Sequence, residues 1–284
     1  MSAEPPARRF PVTLGRVAAT STNEPSAAGT AKRREPRAGL IRPQRPVAAA
    51  HADAGRRALA AGLGLDSADV RSRMVDRLRR DGVVHPRVLA AFATIPRHVF
   101  VDAGLATQAY EDTSLPIGHG QTISKPSVVA RMLELLFAGS NAKAAGDLGA
   151  VLEIGTGCGY QAALLCRSAR RVISVERLKP LHDKARELLA PMRETRLRLV
   201  YGDGMLGHPP GAPYDSIVAA AGGSEIPHAW LEQLAVGGRL VSPVQRPGGQ
   251  GGQVLVVVDR RADGYDRTVH EAVKFVALKS GLAR

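Results

Sequence analysis

Aromatic residues, cysteine and long apolar segments are all scarce in this chain. Phe, Trp and Tyr together make up 4% of its 284 residues, so aliphatic side chains must fill most of the core. The two cysteines, Cys158 and Cys166, lie across a predicted loop and helix, and their separation of about 12 Å is too long for a disulfide. Two isolated thiols indicate neither a disulfide framework nor a metal site, and they fit a reducing compartment. No apolar run approaches the roughly 18 residues of a membrane span. We therefore expect a cytoplasmic protein with no bound metal and no membrane partner.

Positive charge is in excess, and it is unevenly spread. The formal net charge is +13, and the first 50 residues alone hold nine arginine or lysine residues against three glutamates. A basic balance favours acidic partners, including nucleic acid, although a solvated surface with a basic tail is the simpler explanation. The same 50 residues contain seven prolines and one aromatic residue, Phe10. Such a segment cannot bury enough apolar area to offset its ordering entropy. We predict that residues 1–68 are a disordered basic extension whose removal leaves folding and activity intact; its composition resembles a transit peptide but lacks an amphipathic period.

The remaining chain, residues 69–284, begins with a helical pattern. Apolar residues from Val70 onward recur at helical spacing until an Asp-Gly stop at 81–82, and further helices are predicted at 88–94 and 127–137. Between the last two helices, the stretch 112–127 is rich in Gly, Pro, Thr and Ser. It predicts an ordered loop.

Short apolar strands then alternate strictly with amphipathic helices. The predicted strands are 151–154, 172–175, 197–200, 215–219 and 240–244, and the helices are 161–168, 181–189 and 229–234. Such alternation indicates a parallel sheet covered on both faces. Segments 253–258 and 269–278 flank an Asp-Gly turn, which is a hairpin signal. We predict an α/β, Rossmann-like, doubly wound and mostly parallel sheet, with a helical N-terminal subregion and a C-terminal antiparallel hairpin.

A glycine loop, Glu153 to Tyr160, follows the first of these strands and opens a helix. Glycines let the backbone turn tightly and approach a ligand, and the N–H groups at the start of the helix then face that ligand. A dinucleotide fingerprint needs Gly or Ala at position 160, where this chain has tyrosine. The E-x-G-x-G-x-G spacing is instead typical of class I methyltransferases, in which the loop wraps the methionine part of S-adenosylmethionine. A purely structural turn is the alternative. The candidate cofactor-binding residues of the loop are Glu153, Gly155, Gly157 and Gly159.

Acidic residues also follow the next two strands. Glu176 ends the second strand, where an acid can accept hydrogen bonds from both ribose hydroxyls. Asp203-Gly204 follows the third strand, where an acid beside a flexible glycine can contact adenine. Singly, these residues could be an exposed glutamate and a plain turn. Three such sites at the carboxyl ends of consecutive strands, where open α/β sheets bind ligands, predict a site for S-adenosylmethionine.

The segment Leu115 to Pro126 (LPIGHGQTISKP) resembles the signature loop of protein-L-isoaspartate O-methyltransferases. Its Gln-Thr-Ile-Ser part is specific, because most class I methyltransferases lack it. Other stretches similar to this family are 151–163, 175–177, 202–204, 212–215 and 233–244. The resemblance covers about residue 70 to the end. The sequence departs from the family's usual Ser at Cys158, Trp at His208 and Pro at Ala277.

The resemblance implies a protein repair enzyme. Its members transfer a methyl group from S-adenosylmethionine to the α-carboxylate of L-isoaspartyl residues, and the ester then closes to a succinimide that hydrolyses partly to aspartate. A carboxylate with a pKa of about 4 is already ionised at neutral pH, so the reaction needs alignment rather than a general base. The family assigns its active-site serine to the position of Ser124, which we expect to orient the carboxylate; the alternative is a cap for the next helix. We expect His119, His208 and His228 to be structural or surface residues.

Two other functions stay open on the sequence alone. One is another class I methyltransferase acting on a small molecule or RNA, which the basic tail favours and the loop at 121–124 opposes. The other is a binding module without turnover, which the intact acidic residues and Ser124 oppose. Residues 219–222 lack the Asn/Asp-Pro-Pro-aromatic motif that is common to methyltransferases of base or amide nitrogens. We expect a monomer that acts on isoaspartyl proteins and binds no specific nucleic acid.

Overall fold

The computed structural model describes residues 68–246 and 251–283, so the predicted disordered extension lies almost wholly outside the described residues. The described chain starts with helix α1 (Ala68–Arg80), which buries Met74, Val75 and Leu78 as its spacing predicts. Helix α2 (Pro86–Thr94) follows, with proline at its first turn, where a missing N–H costs nothing.

The prediction of an ordered loop over 112–127 missed two short strands. The stretch contains an antiparallel hairpin of β1 (Leu115–Gly118) and β2 (Gln121–Ile123). The hairpin forms because alternate residues of β1 are buried while its other residues are exposed. Its strands are too short, and too closely surrounded by glycine and proline, to give a strand signal. Two helices come next, α3 (Pro126–Phe137) and α4 (Ser140–Ala145).

A seven-stranded sheet forms the centre of the described chain. Its strands are β3 (Ala150–Ile154), β4 (Arg171–Glu176), β5 (Leu197–Tyr201), β6 (Tyr214–Ala219), β7 (Leu234–Gln245), β8 (Gln253–Arg260) and β9 (Tyr265–Val273). The strand order is β5-β4-β3-β6-β7-β8-β9, parallel from β5 to β7 and antiparallel from β7 to β9. This confirms the predicted Rossmann-like sheet. The strand order reverses between β3 and β6, and such a switch point is where open α/β sheets bind ligands.

Both faces of the sheet are covered. Helices α5 (Tyr160–Cys166), α6 (Lys179–Leu189) and α7 (His228–Gln233) connect the parallel strands. Successive residues of a strand point to opposite faces, so Val151 and Leu152 belong to separate buried clusters. The described helices are all too short or too polar to cross a bilayer.

The boundaries of the C-terminal strands differ from the prediction. Strand β7 begins at Leu234 rather than at 240, because Gly237 adopts a φ of 78° and lets the strand continue through an irregular register with β6. Strand β9 spans Tyr265–Val273 rather than the predicted 269–278. The C-terminal segment, residues 274–283, instead pairs with loops that follow the parallel strands, at Gly222 and at Leu178.

Candidate active site

The glycine loop makes a tight turn directly after β3. Gly155 and Gly159 have φ values of 90° and 92°, a left-handed conformation that side-chain-bearing residues rarely adopt. The amide of Gly155 donates to the Val175 carbonyl at 2.9 Å, which ties the loop to the end of β4. A Cβ on Gly159 would lie 2.6 Å from Leu189 Cδ1, so only glycine fits between the loop and α6 without a shift.

A cavity opens at the carboxyl ends of the parallel strands. Its wall is formed by the β1–β2 hairpin, the glycine loop, the end of β4 and the C-terminal segment. The predicted site residues that line it are Ser124, Gly155, Gly157, Glu176 and Gly204. The predicted residues outside its wall are Glu153, Gly159 and Asp203. The structure therefore brings most of the predicted site residues together around one cavity, and the other three lie outside its wall.

Glu176 closes the turn of the glycine loop. One carboxylate oxygen, Oε2, accepts the Gly157 amide at 2.9 Å, and Oε1 accepts the Leu178 amide at 2.9 Å. Each carboxylate oxygen has a further lone pair, so the group can still accept hydrogen bonds from a ligand in the cavity. Glu176 thus holds the loop and can bind a pair of hydroxyl groups from the same position.

Asp203 binds the C-terminal segment. Its Oδ1 accepts the Met205 amide at 2.9 Å, and its Oδ2 accepts the Ser280 hydroxyl at 2.8 Å and the Gly281 amide at 2.6 Å. Partial burial works to raise the pKa of this carboxyl, but the hydrogen bonds from Gly281, Met205 and Ser280 outweigh it and hold the pKa below its ordinary value. The contact with adenine stays a prediction for Asp203, whose neighbour Gly204 does line the cavity.

Glu153 is completely buried beneath the glycine loop. Its Oε2 accepts the Ser174 hydroxyl at 2.5 Å, and Ser174 Oγ lies 2.6 Å from the hydroxyl of Thr156 in the loop. Burial raises the pKa of the Glu153 carboxyl to about 8, because desolvation disfavours the charged form. Hydrogen bonds through Ser174 therefore link Glu153 to Thr156, which lines the cavity wall.

Ser124 lines the cavity. The side chain is half-buried and makes no hydrogen bond with any residue in the described ranges. The cap position of α3 is Lys125, which makes no side-chain cap bond. Instead, Asp112 accepts both the amide of Ser127 at 2.9 Å and its hydroxyl at 2.8 Å. The capping alternative for Ser124 is thus not the observed arrangement.

The two cysteines are buried free thiols. Burial raises the pKa of Cys158 to about 11 and that of Cys166 to about 12. Cys158 lines the cavity as a protonated thiol, so it is not poised as a nucleophile. Within residues 68–246 and 251–283, no cluster of three or more His, Cys, Asp or Glu side chains is arranged to hold a metal ion.

Comparison with known proteins gives a family. A family model described as protein-L-isoaspartate(D-aspartate) O-methyltransferase matches residues 69–283. The chain belongs to this family. It is 58% identical over 277 residues to a protein-L-isoaspartate O-methyltransferase of Methylibium petroleiphilum, with 97% of each chain covered. It is 61% identical over 241 residues to one of Leptothrix cholodnii, with 84% of each chain covered.

Solved structures of isoaspartate methyltransferases have the same fold. One matches with a TM-score of 0.66 and 27% identity, covering 75% of this chain and 67% of the other. A second, from Plasmodium falciparum, was solved in complex with S-adenosyl-L-homocysteine. It matches with a TM-score of 0.59 and 23% identity, covering 73% of this chain and 97% of the other. The left-handed glycine loop and the Glu176 carboxylate beside it fit S-adenosylmethionine as the cosubstrate of this methyltransferase.

Some residues of the cavity wall were not predicted from the sequence. The C-terminal segment contributes Val276, Ala277, Leu278 and Lys279 to the wall. Its apolar alternation continues that of β9, so nothing in the sequence separated it from a strand. His119 also lines the cavity, whereas His228 is an exposed residue that pairs with Glu232.

Proposed function

We propose that this chain repairs damaged proteins by methylating the α-carboxylate of L-isoaspartyl residues with S-adenosylmethionine. The observation that carries the proposal is the free hydroxyl of Ser124, which shares one cavity with the glycine loop and Glu176. The Ser124 hydroxyl and the glycine loop suited to S-adenosylmethionine thus belong to the same cavity. Methyl transfer to a carboxylate requires such proximity of the two substrates.

We place S-adenosylmethionine, the methyl donor, on the side of the cavity formed by the glycine loop. When bound, S-adenosylmethionine supplies a methyl group bonded to a positively charged sulfur. A carboxylate oxygen can attack this methyl group directly and displace the sulfur. Gly155 and Gly157 would lie against its methionine part, and Glu176 would accept hydrogen bonds from its ribose. Asp203 and Gly204 lie at the end of β5, where we place the adenine. Glu153 and Gly159 would support the loop from behind.

The acceptor side suits an anion. Glu176 is the one acidic side chain among the described residues that line the cavity, and both of its oxygens already accept backbone N–H groups. Arg177 and Lys279 line the same cavity and bring positive charge. A substrate carboxylate is therefore attracted rather than repelled.

The residues around the acceptor orient the carboxylate and exclude water. The carboxylate is ionised at neutral pH, so no side chain has to remove a proton. Ser124 would donate one hydrogen bond to it, which leaves the other oxygen lone pairs free for attack. Apolar side chains from the hairpin and the C-terminal segment, Ile117, Ile123 and Val276, line the wall and keep competing water away. Closure to the succinimide then uses the substrate's own backbone amide.

We further propose that the enzyme works as a cytoplasmic monomer on isoaspartyl proteins, without a specific nucleic acid partner. Two free thiols support a reducing compartment. Light scattering of the purified chain at several concentrations measures its oligomeric state, and a dimer mass would overturn the monomer.

A pair of matched peptides tests the proposed reaction. One peptide contains L-isoaspartate and the other contains aspartate in the same sequence, and both are incubated with methyl-labelled S-adenosylmethionine. We expect base-labile label in the isoaspartyl peptide and none in the aspartyl peptide. Label in neither peptide, or label in RNA or a small metabolite instead, would reject the proposal in favour of another methyltransferase activity.

A further inference from the structure

The tip of the β1–β2 hairpin has an unusual backbone. His119 has a φ of 52° and stands between Gly118 at 97° and Gly120 at 66°. Three consecutive left-handed residues form this turn, and glycine adopts that conformation without penalty whereas histidine does not. A Cβ at either flanking glycine would meet nothing within 4 Å, so packing does not require glycine at positions 118 and 120. The backbone alone would therefore favour glycine at position 119.

The imidazole of His119 is exposed and lines the cavity. In the part of the chain that the structure describes, its ring makes no hydrogen bond or ion pair. The main-chain carbonyl of His119 accepts the Gln121 side-chain amide at 3.2 Å, which fixes the turn from the other side. The ring of His119 therefore lines the cavity, on the hairpin that leads to Ser124, and it forms no hydrogen bond or ion pair with the described residues.

We propose that His119 contacts the substrate, with its imidazole hydrogen-bonding the peptide main chain next to the isoaspartyl residue. This inference rests on the proposed function. An enzyme that repairs many proteins must recognise what all substrates share, and flanking side chains differ whereas main-chain N–H and C=O groups do not. A neutral imidazole carries one donor and one acceptor, so it matches either main-chain group. His119 therefore adds affinity for a peptide without selecting its sequence.

The decisive variant is His119→Gly, because it removes the ring and suits the backbone. The chain offers a matched control. Arg193 is the other non-glycine residue with a left-handed backbone in the described ranges, with a φ of 49°. It is exposed, precedes the amino end of β5, and lies outside the cavity wall. Arg193→Gly therefore repeats the backbone change at a remote position.

The full chain is assayed with an isoaspartyl hexapeptide and with two shorter peptides that lack the residues before or after the isoaspartate. We expect His119→Gly to raise the KM for the hexapeptide about five- to tenfold, the value of roughly one hydrogen bond, and to leave kcat and the Kd of S-adenosylhomocysteine near wild type. One of the shorter peptides should lose this difference. His119→Asn tolerates the left-handed backbone and keeps a donor and an acceptor, so it should recover most of the affinity. Arg193→Gly should leave KM unchanged.

Three results would overturn the inference. The first is an unchanged KM for the hexapeptide in His119→Gly. The second is an equal rise with both shorter peptides, which would place the contact on the isoaspartyl residue itself. The third is an equal rise in Arg193→Gly, which would assign the effect to the backbone. If the wild-type chain methylates no isoaspartyl peptide at all, the proposed function fails first, and that outcome is distinct from these three.

Discussion

The carboxylate of Asp203 accepts the hydroxyl of Ser280 at 2.8 Å, across 77 positions of the sequence. The same oxygen accepts the amide of Gly281 at 2.6 Å. Because residues just before Ser280 line the cavity, this contact fixes one of its walls. A residue expected to touch the cofactor therefore also anchors the segment that encloses the site.

The first prediction concerns this anchor. Ser280→Ala removes one hydrogen bond to a charged group, so we expect the Kd of S-adenosylhomocysteine to rise by about three- to tenfold in calorimetry. Asp203→Asn weakens both bonds and should raise the Kd further. If the anchor is the role of Asp203, the two effects are not additive, and Ser280→Ala adds little in an Asp203→Asn background. Fully additive effects would indicate that Asp203 acts mainly through a separate contact, as the adenine prediction requires.

The second prediction concerns Ser124. Ser124→Ala removes the hydrogen bond that would orient the substrate carboxylate, so kcat/KM for an isoaspartyl peptide should fall by about 10- to 100-fold. The Kd of S-adenosylhomocysteine should stay the same. Ser127→Ala is the matched control, because its hydroxyl binds Asp112 within the chain. We expect this control to lower the free energy of unfolding by about 1 kcal/mol and to leave the kinetics near wild type. Equal kinetics in Ser124→Ala and wild type would remove Ser124 from the mechanism.

The sheet could be predicted because its signals are local. Short, mostly apolar runs such as 151–154 indicate strands of a parallel sheet when amphipathic helices separate them. Glycine at 155 and 159 is the residue type that favours the left-handed backbone of the loop. The hairpin at 115–123 was missed because its strands have four and three residues, too few to establish a period.

The side-chain partners of the site could not be predicted, because they depend on tertiary packing. Nothing near Asp203 in the sequence points to Ser280. Likewise, the spacing of Glu153 fits a cofactor contact, but a strand residue can point to the ligand edge or into the sheet. The structure buries Glu153 against Ser174 on the neighbouring strand, a packing arrangement that the sequence does not reveal.

The third prediction follows from that burial. The folded pKa of Glu153 is about 8, above its ordinary value of 4.5, so the folded state binds more protons than the unfolded state between these values. The free energy of unfolding must therefore fall as pH rises from about 4.5 to 8, and this contribution is constant above pH 8. Glu153→Gln cannot titrate. In urea unfolding, we expect the stability of the wild type relative to this variant to fall across that range. A flat difference across that range would contradict the raised pKa of Glu153.

The last prediction separates two glycines, Gly155 and Gly159, that have nearly the same φ and different surroundings. A Cβ on Gly155 would lie 3.6 Å from the Cβ of Ala220, an ordinary contact, whereas a Cβ on Gly159 would lie 2.6 Å from Leu189 Cδ1. Gly155→Ala should therefore cost only the left-handed backbone, about 1–2 kcal/mol of unfolding free energy. Gly159→Ala should cost about 2–4 kcal/mol, because a buried leucine must also shift.

The binding effects of these two substitutions should run the other way. Gly155 and Ala220 both line the cavity, so the methyl group of Gly155→Ala lies against the cavity wall and should raise the Kd of S-adenosylhomocysteine at least tenfold. Gly159 lies outside that wall, so Gly159→Ala should change the Kd less when it is measured well below its unfolding temperature. Chemical unfolding and calorimetry on the same two variants check both orders. If the substitution that lowers the unfolding free energy more also raises the Kd more, the loop responds as one unit. The division between a ligand-facing glycine and a packing glycine would then be wrong.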